Sequence, residues 1–364
     1  MGPPAQLPDL PPAIDLETPR VLKALAAASR SLAELKGRAA AIPNQGILID
    51  TLALQEAKAS SEIENIVTTQ DELFRASLYP ETSYVPAVRE VARYRKTLRL
   101  GYERLQKTQG LITNNLLIDL CRRLLARGDG FRTIPGTVLM NEATGETVHV
   151  PPQDGNEVIA RMTALERFIN EDESCRLDPL IKMALIHYQF ESIHPFHDGN
   201  GRVGRILNLL YLTRAGLLDI PILYHSRYII RTRADYYRLL RAVRDHGAWE
   251  DWVLYMLEAV TETAAATLRI VEEMRGQMAY MKQRLRDELP KLYSQDLLNS
   301  LFLHPYTRID FIKRDLKVTR PTAAKYLNTL AEHGFVEKRR AGRNNYYVNV
   351  ELVKLFLIES GDDQ

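Results

Sequence analysis

Apolar residues recur at helical spacing along most of the chain. In residues 19–41, one face of a helix carries Leu22, Leu25, Leu32 and Leu35, and Pro43 ends the pattern. The same spacing predicts further helices over residues 47–65, 88–107, 114–127 and 250–289. Two more apolar helices precede and follow residues 194–205, which therefore form a loop between buried helices. The pattern predicts a mainly α fold.

One region is rich in residues that favour β-strands. Residues 137–140 and 146–150 flank a turn at residues 141–145 that contains Asn and Gly. Two short strands around such a turn predict a β-hairpin within residues 130–152.

The end of the chain has a pattern of its own. We predict three short helices and a hairpin there, over residues 297–302, 309–316, 320–333, 335–339 and 346–349. This order of elements resembles a winged-helix domain. Residues 301–350 hold ten Lys or Arg against four Asp or Glu, which is a local excess of positive charge.

The third of these short helices has the pattern of a DNA-reading helix. Its predicted outward residues are Arg320, Thr322, Lys325 and Asn328. Its predicted inward residues are Ala324, Leu327 and Leu330. In the hairpin, the residues available for phosphate contacts are Arg339, Arg340 and Arg343. Because many winged helices dock proteins instead, DNA binding and protein binding both stay open.

Composition adds limits to this picture. The 364 residues are 45% hydrophobic and 26% charged, with a formal net charge of +2, so the whole molecule makes no case for nucleic-acid or membrane binding. We predict an N-terminal arm and helix (residues 1–45), a core (46–290) and a C-terminal domain (291–364). The two cysteines lack metal-ligand spacing, and no apolar stretch reaches the roughly 18 residues that cross a bilayer. We therefore expect a cytoplasmic protein.

Residues 194–205 read HPFHDGNGRVGR and combine groups that suit a polyphosphate. Gly199 and Gly201 let a ligand approach the backbone closely, and the free N–H groups that open the next helix face an anion. Arg202 and Arg205 lie three residues apart, hence on one helix face, where guanidinium groups bind phosphate oxygens. The stretch is thus predicted to hold phosphates.

Two other residues of the stretch suggest reaction chemistry. Asp198 is its one carboxylate, and a carboxylate beside bound phosphates is a usual ligand of Mg²⁺. His194 is the candidate general base, because an ordinary histidine titrates near neutral pH. A single histidine or Gly-rich turn is more often structural, but the combination at fixed spacing favours a catalytic site.

Residues 194–205 match the signature H-x-F-x-[DE]-G-N-G-R-x-x-R of the Fic/Doc family at every specified position, so the chain resembles that family. The resemblance implies a mostly helical core and Mg²⁺-dependent transfer of AMP from ATP to a Ser, Thr or Tyr hydroxyl of a protein. It implies that His194 deprotonates the hydroxyl, that Asp198 holds Mg²⁺, and that Phe196 anchors the loop. The implied nucleotide-binding residues in the signature are Asp198, Gly199, Asn200, Gly201, Arg202, Gly204 and Arg205, the last on the γ-phosphate.

The resemblance also gives roles outside the signature. The hairpin is expected to be a flap on which the protein substrate docks as an added strand. Further nucleotide contacts are implied for Thr147, Val148, His149, Tyr236 and Tyr237. Arg244 stands where some relatives have Asn, so the chain departs from the family at one base or ribose contact.

Residues 60–65 resemble the family's inhibitory motif, [S/T]-x-x-x-E-[G/N]. Ser60, Glu64 and Asn65 occupy its specified positions, within the helix predicted over residues 47–65. The resemblance implies that Glu64 pairs with Arg205. Such a pair occupies the donors that the γ-phosphate needs, and the resulting misplacement of the nucleotide slows transfer.

The resulting hypothesis is an autoinhibited protein adenylyltransferase that uses ATP and Mg²⁺. Expected partners are a protein substrate on the flap, the chain itself as a target, and a second copy in a homodimer. One alternative is a Fic relative that transfers another phosphate-containing group or removes AMP. The other is a DNA-binding regulator whose core senses nucleotide.

Overall fold

The computed structural model describes residues 7–79, 84–128, 130–140, 145, 147–171, 176–341 and 344–360. Its helices up to the signature loop are α1 Pro19–Ala39, α2 Gln45–Ile63, α3 Gln70–Ala76, α4 Pro86–Lys107, α5 Asn114–Leu125, α6 Gly155–Asn170 and α7 Pro179–Ile193. Those after it are α8 Asn200–Arg214, α9 Ser226–Arg231, α10 Arg233–His246, α11 Trp249–Glu288, α12 Gln295–Leu303, α13 Ile309–Asp315, α14 Arg320–Glu332 and α15 Val350–Ser360. The mainly α fold is confirmed. None of these helices combines the length and apolar character needed to cross a bilayer.

The first two helices begin where the sequence places capping residues. Thr18 accepts a hydrogen bond from the Val21 N–H, with Pro19 in the first turn of α1, and α1 packs along the long helix α11. Asn44 caps α2 by accepting from the Gly46 N–H. Helix α2 is buried on almost all sides and contacts α4, α8, α9 and α12. Its C-terminal end therefore lies inside the molecule.

Helices α7 and α8 form the centre of the fold and carry the signature loop between them. Both are buried around nearly their whole circumference, as is typical of helices at the centre of a fold, although α8 also buries two arginines, Arg202 and Arg205. Trp252 of α11 is fully buried and donates from its indole N–H to the Ala184 carbonyl at 2.8 Å. This bond fixes α11 against α7 and holds the loop on a rigid base.

The predicted hairpin is present but short. Strands β1 Leu139–Met140 and β2 Thr147–His149 pair antiparallel, with Leu139 opposite His149 and Met140 opposite Thr147. The register shifts between Leu139 and Met140. Most of the predicted turn, residues 141–144, lies outside the described residues.

The C-terminal part contains the predicted helices α12 to α14 and a hairpin of β4 Glu337–Ala341 and β5 Asn344–Val348. A further strand, β3 Tyr306–Thr307, pairs with β5 to give the order β3-β5-β4. The domain boundaries stay predictions, although the one after residue 290 falls between α11 and α12. Arg343 lies outside the described residues.

Two details of α14 differ from the prediction. Ala323 rather than Ala324 is fully buried with Leu327 and Leu330, because residues 323, 327 and 330 have the i, i+4, i+7 spacing of one helix face. Asn328 does not project freely: its side-chain oxygen accepts from Lys338 and Tyr347 and joins the helix to the hairpin. The outward basic residues are partly neutralised, since Arg320 pairs with Asp310 at 2.7 Å.

Helix α3, which the apolar pattern did not predict, links the N-terminal and C-terminal parts. Phe74 packs on Tyr306 and Phe356, with ring centroids 5.7 and 5.9 Å apart. Tyr306 donates its hydroxyl to Asp71, and Arg308 donates to the Leu78 carbonyl. The segment that directly follows α2 is therefore held by the C-terminal part of the chain.

Removing the Phe74 ring should destabilise the protein because it leaves a cavity between these two parts. We expect Phe74→Ala to lower the free energy of unfolding by about 3 kcal/mol, measured by urea denaturation. Val67→Ala is the matched control, since Val67 is 69% exposed in the same segment and should change stability little. Equal denaturation midpoints for the two variants would contradict this packing role.

Candidate active site

The signature loop turns sharply after α7 and is fixed from inside. His194 ends α7 in a left-handed conformation with φ 50°, and its N–H donates to the Phe190 carbonyl at 3.0 Å. Phe196 is buried against Phe131 and Phe190. The Asn200 side chain bonds the N–H and the carbonyl of Phe196, each at 2.8 Å. The Asn200 amide thus closes the loop, and Phe196 is the anchor that was expected.

Arg132 holds the loop from the flap side. Its side-chain Nε donates to the His194 carbonyl at 2.8 Å, and one Nη donates to the Ile193 carbonyl at 3.1 Å. Its backbone N–H donates to the Pro195 carbonyl at 2.8 Å. Arg132 is 1% exposed, so these bonds form out of water. Sequence reasoning missed this residue. No local pattern marks it, because its side chain bonds residues 61 and 62 positions later in the chain.

Burial keeps the His194 imidazole neutral. Desolvation, followed by the positive charge of Arg132 and by the neighbouring His149, lowers the pKa of His194 to about 4, while Glu64 opposes this shift. A neutral imidazole at pH 7 has a lone pair available to accept a proton. The environment therefore suits the base role predicted for His194.

Helix α8 begins immediately after the loop and presents its N-terminus. Gly199 adopts φ 78° at the N-cap, a conformation that glycine reaches without steric cost. At Gly201, an added Cβ would lie 2.3 Å from Glu64 Oε1 and 2.9 Å from Arg205 Nη1. Position 201 therefore has no room for a side chain while these two groups meet.

Arg205 is 1% exposed and three of its donor bonds end on helix α2 and its cap. Nε donates to Ser60 Oγ, and Nη2 donates to the Ser60 carbonyl and to Glu64 Oε1, all at 2.8 Å. Glu64 is the C-cap of α2, and Asn65 follows with φ 61°. The structure thus brings the predicted inhibitory residues Ser60 and Glu64 onto Arg205.

A buried carboxylate fixes α2 in this place. Glu56 is 2% exposed and accepts from the N–H and hydroxyl of Ser226 and from the Tyr94 hydroxyl. Desolvation raises the pKa of Glu56 to about 7, and the bonds from Ser226 oppose that effect. Because removing any partner would leave a buried polar group unpaired, this network resists displacement of α2.

The other charged residues of the signature face away from Arg205. Arg202 is nearly buried and pairs with Glu90 at 2.8 Å and with Asp198 at 3.5 Å. Asp198 also pairs with Arg127 at 3.3 Å, and its side chain is 48% exposed. Neither residue lines the pocket described next, whereas His194, Gly201 and Arg205 do.

A pocket of about 590 Å³ extends from the end of α2 to the flap. Val148 and His149 of β2 line it, and His149 holds the flap down through a 2.8 Å bond from its Nε2 to the Ser192 carbonyl. Arg244 of α10 lines the same end and donates to the Val148 carbonyl at 2.7 Å. Thr147 belongs to β2 but does not line the pocket.

The tyrosine pair of α10 has divided roles. Tyr236 is 2% exposed, and its hydroxyl lies 2.8 Å from His187 Nε2. Tyr237 is 41% exposed and presents its ring at the pocket.

Gly204 does not line the pocket. A Cβ built at residue 204 would lie 2.4 Å from Glu191 Oε1, so the glycine leaves room for the Glu191 side chain. Burial raises the pKa of Glu191 to about 7.

Three family descriptions match the sequence in succession. The Fic/DOC family N-terminal description matches residues 22–103, the Fic/DOC family description matches residues 111–212, and the description of the C-terminal domain of protein adenylyltransferase SoFic-like matches residues 278–352. Together they account for most of the chain.

Curated relatives and solved structures agree with these matches. The proteins named protein adenylyltransferase Fic from Drosophila sechellia and Drosophila virilis are 29% and 30% identical over 172 residues, or 47% of this chain. The chain spans about a third of the length of these relatives, since 33% of each is matched. A Fic family protein from Desulfovibrio desulfuricans superposes with a TM-score of 0.55 at 20% identity, over 94% of this chain and 98% of that one. Fic-1 from C. elegans gives 0.54 at 21% identity, over 71% and 74%. At such identities the two structures show likeness of fold alone.

The depressed pKa of His194 has a measurable consequence. We expect the His194 imidazole to titrate near pH 4 in the folded protein and near 6.5 in the urea-unfolded chain, followed by NMR of its ring nitrogens. Because the unfolded state binds the proton more readily, stability from this residue is lost as pH falls from about 6.5 toward 4. Titration near 6.5 in the folded state would contradict the buried environment.

Proposed function

Because the chain belongs to the Fic/DOC family, we propose that it transfers AMP from ATP to a hydroxyl group of a protein, with pyrophosphate as the leaving group. The observation that carries the proposal is the pocket in which the neutral His194 imidazole and the Arg205 guanidinium meet at the N-terminus of α8. A base for a hydroxyl and a cationic site for phosphates lie side by side there.

In the proposed reaction His194 accepts the proton of the target hydroxyl while the hydroxyl oxygen attacks the α-phosphorus. The bond from that phosphorus to the bridging oxygen breaks, and pyrophosphate leaves. Bound phosphates would raise the low pKa of His194 by placing negative charge beside the ring, which strengthens the base when substrate is present. Arg132 supports this step by holding the His194 carbonyl and hence the ring in place.

The phosphate groups have donors at the start of α8. The free N–H groups of its first turn face the loop, and Arg205 projects from its second turn. Phosphate oxygens would replace Ser60 and Glu64 as partners of the Arg205 guanidinium. The nucleoside would extend toward Tyr237 and the flap, where Val148 and His149 line the pocket.

The residues present fit a Mg²⁺ ion held through one carboxylate. Asp198 is half exposed beside the loop, and Mg²⁺ commonly takes one or two carboxylates together with substrate phosphates and water. When bound, the ion would neutralise phosphate charge. Arg127 and Arg202, the present partners of Asp198, would then share it with the ion, and Arg202 would keep its pair with Glu90.

The protein substrate is proposed to dock on the flap. Strand β1 pairs with β2 within the described residues, and Met140 of β1 is 61% exposed. An edge strand offers N–H and carbonyl groups that an extended segment can pair with. The proposal includes self-modification of the chain, since its own exposed segments are also candidate substrates.

We further propose that the structure is the inhibited state. The Arg205 donors that would bind the γ-phosphate are occupied by Ser60 and Glu64 at 2.8 Å. Binding of ATP in the productive pose therefore requires that the end of α2 move.

The neutralisation of Arg320 by Asp310 lowers the attraction of α14 for DNA phosphates, so DNA binding is left out of the proposal.

Glu64→Gly should increase transfer of labelled AMP to the chain itself by about tenfold or more, because Arg205 is released for the γ-phosphate. Glu62→Gly is the matched control, since it puts a glycine in the same helix turn but leaves the Arg205 pair. Equal labelling of both variants would remove autoinhibition by Glu64 from the proposal.

His194→Ala in the Glu64→Gly protein should abolish labelling, because the substitution removes the imidazole that is proposed to accept the hydroxyl proton. The assay is incorporation of radiolabel from ATP labelled at the α-phosphorus. A folded double variant that still labels itself would exclude His194 as the base.

A further inference from the structure

Arg233, the first residue of α10, lines the same pocket as Arg205. On α10 the pocket is lined by a single helix face, consisting of Arg233, Tyr236, Tyr237, Leu240 and Arg244. From residue 233 to residue 244 the helix rises about 16 Å, at 1.5 Å per residue. The two arginines of α10 that line the pocket therefore lie at its opposite ends: Arg244 at the flap, and Arg233 near the end of α2.

Arg233 lines the pocket but makes only weak interactions with neighbouring side chains. Its Nη1 donates to Asn65 Oδ1 at 3.2 Å, and its guanidinium lies 5.9 Å from the centre of the Tyr237 ring. In the part of the chain that the structure describes, no carboxylate pairs with it. By contrast, Arg231 pairs with Glu262 at 3.3 Å on the same segment.

A partly exposed guanidinium with one neutral acceptor keeps most of its donors available to a ligand. It carries five N–H donors and binds carboxylate or phosphate oxygens in a planar fork. Arg205 is satisfied by Ser60 and Glu64, so Arg233 is the cation at this end of the pocket that lacks an anion. An additional anionic group entering here would meet both guanidinium groups.

We propose that Arg233 is a second phosphate-binding arginine at the Arg205 end of the pocket, and that the inhibitory segment occupies both arginines with consecutive residues. Glu64 takes Arg205 and Asn65 takes Arg233. The left-handed φ of 61° at Asn65 turns the chain directly after the α2 cap, so the two adjacent side chains reach different helices. The ligand is the β,γ-phosphate part of a nucleoside triphosphate, which rests on the function proposed above.

Nucleotide binding without turnover gives the direct test. In protein carrying Glu64→Gly and His194→Ala, Arg233→Ala should weaken ATP binding about tenfold, because one charged hydrogen-bonding partner of the phosphates is lost. Binding of AMP, which lacks the β- and γ-phosphates, should not change. Calorimetry measures both affinities, and Arg233→Lys should fall between Ala and the parent for ATP.

Arg231→Ala is the matched control, because it removes an arginine from the same segment whose partner, Glu262, lies outside the pocket. It should leave both affinities unchanged, and the melting temperature of each variant checks folding. Unchanged ATP affinity in Arg233→Ala would overturn the inference, and so would an equal loss for ATP and AMP, which would place Arg233 on the nucleoside. If the parent double variant bound no ATP, the proposed function would fall as well.

A second measurement tests the role of Asn65 with Glu64 retained. Asn65→Gly keeps the left-handed backbone accessible but removes the acceptor for Arg233. ATP affinity should rise in this variant, and the rise should vanish when Arg233→Ala is added. A rise of the same size in both backgrounds would show that the glycine merely loosens the segment and would overturn the proposed Asn65–Arg233 contact.

Discussion

The buried guanidinium of Arg205 is the constraint on which the rest of the structure depends. A charge taken out of water costs several kcal/mol unless well-placed partners replace its hydration. Here the partners come from α2, a helix more than 140 residues away along the chain. The need to satisfy this side chain is therefore one of the interactions that fix α2 against α8. A triphosphate that enters the pocket must supply the same bonds before α2 is free to leave.

The supports of α2 lie outside the pocket and act in different ways. Glu56 fixes the middle of the helix through Ser226 and Tyr94, a buried network that tolerates no missing partner. Beyond its C-terminal end, α3 is packed through Phe74 on the rings of the C-terminal part. The pairing at Arg205 is thus one of three restraints. The free energy needed to move α2 is spread over the molecule rather than concentrated at the site.

How well the sequence predicts a structural feature depends on how far apart along the chain the interacting residues lie. Helices α1, α2, α4, α5 and α11 follow from periodicity, and the signature loop follows from a run of consecutive residues. Arg132, Glu56 and Arg233 were missed, because their importance comes from partners 61, 170 and 168 residues away, and nothing in the local pattern marks them. Helix α3 was missed because its only buried apolar side chains are the adjacent Leu73 and Phe74, which display no helical period. The one-residue error at Ala323 arises because the sequence resolves a helical face only to within a residue when the packing partner is unknown.

At Gly201, the contact between Glu64 and Arg205 and the proposed phosphate site share the same space. The volume that a Cβ would fill is occupied by Glu64 Oε1 and bordered by Arg205 Nη1. The backbone of the loop must also remain open there for phosphates to approach. A mutation at this position that expels Glu64 would obstruct the nucleotide as well. Under the proposed function, substitutions in α2 can therefore release the inhibited state, whereas a substitution at residue 201 that expels Glu64 also closes the site to phosphates.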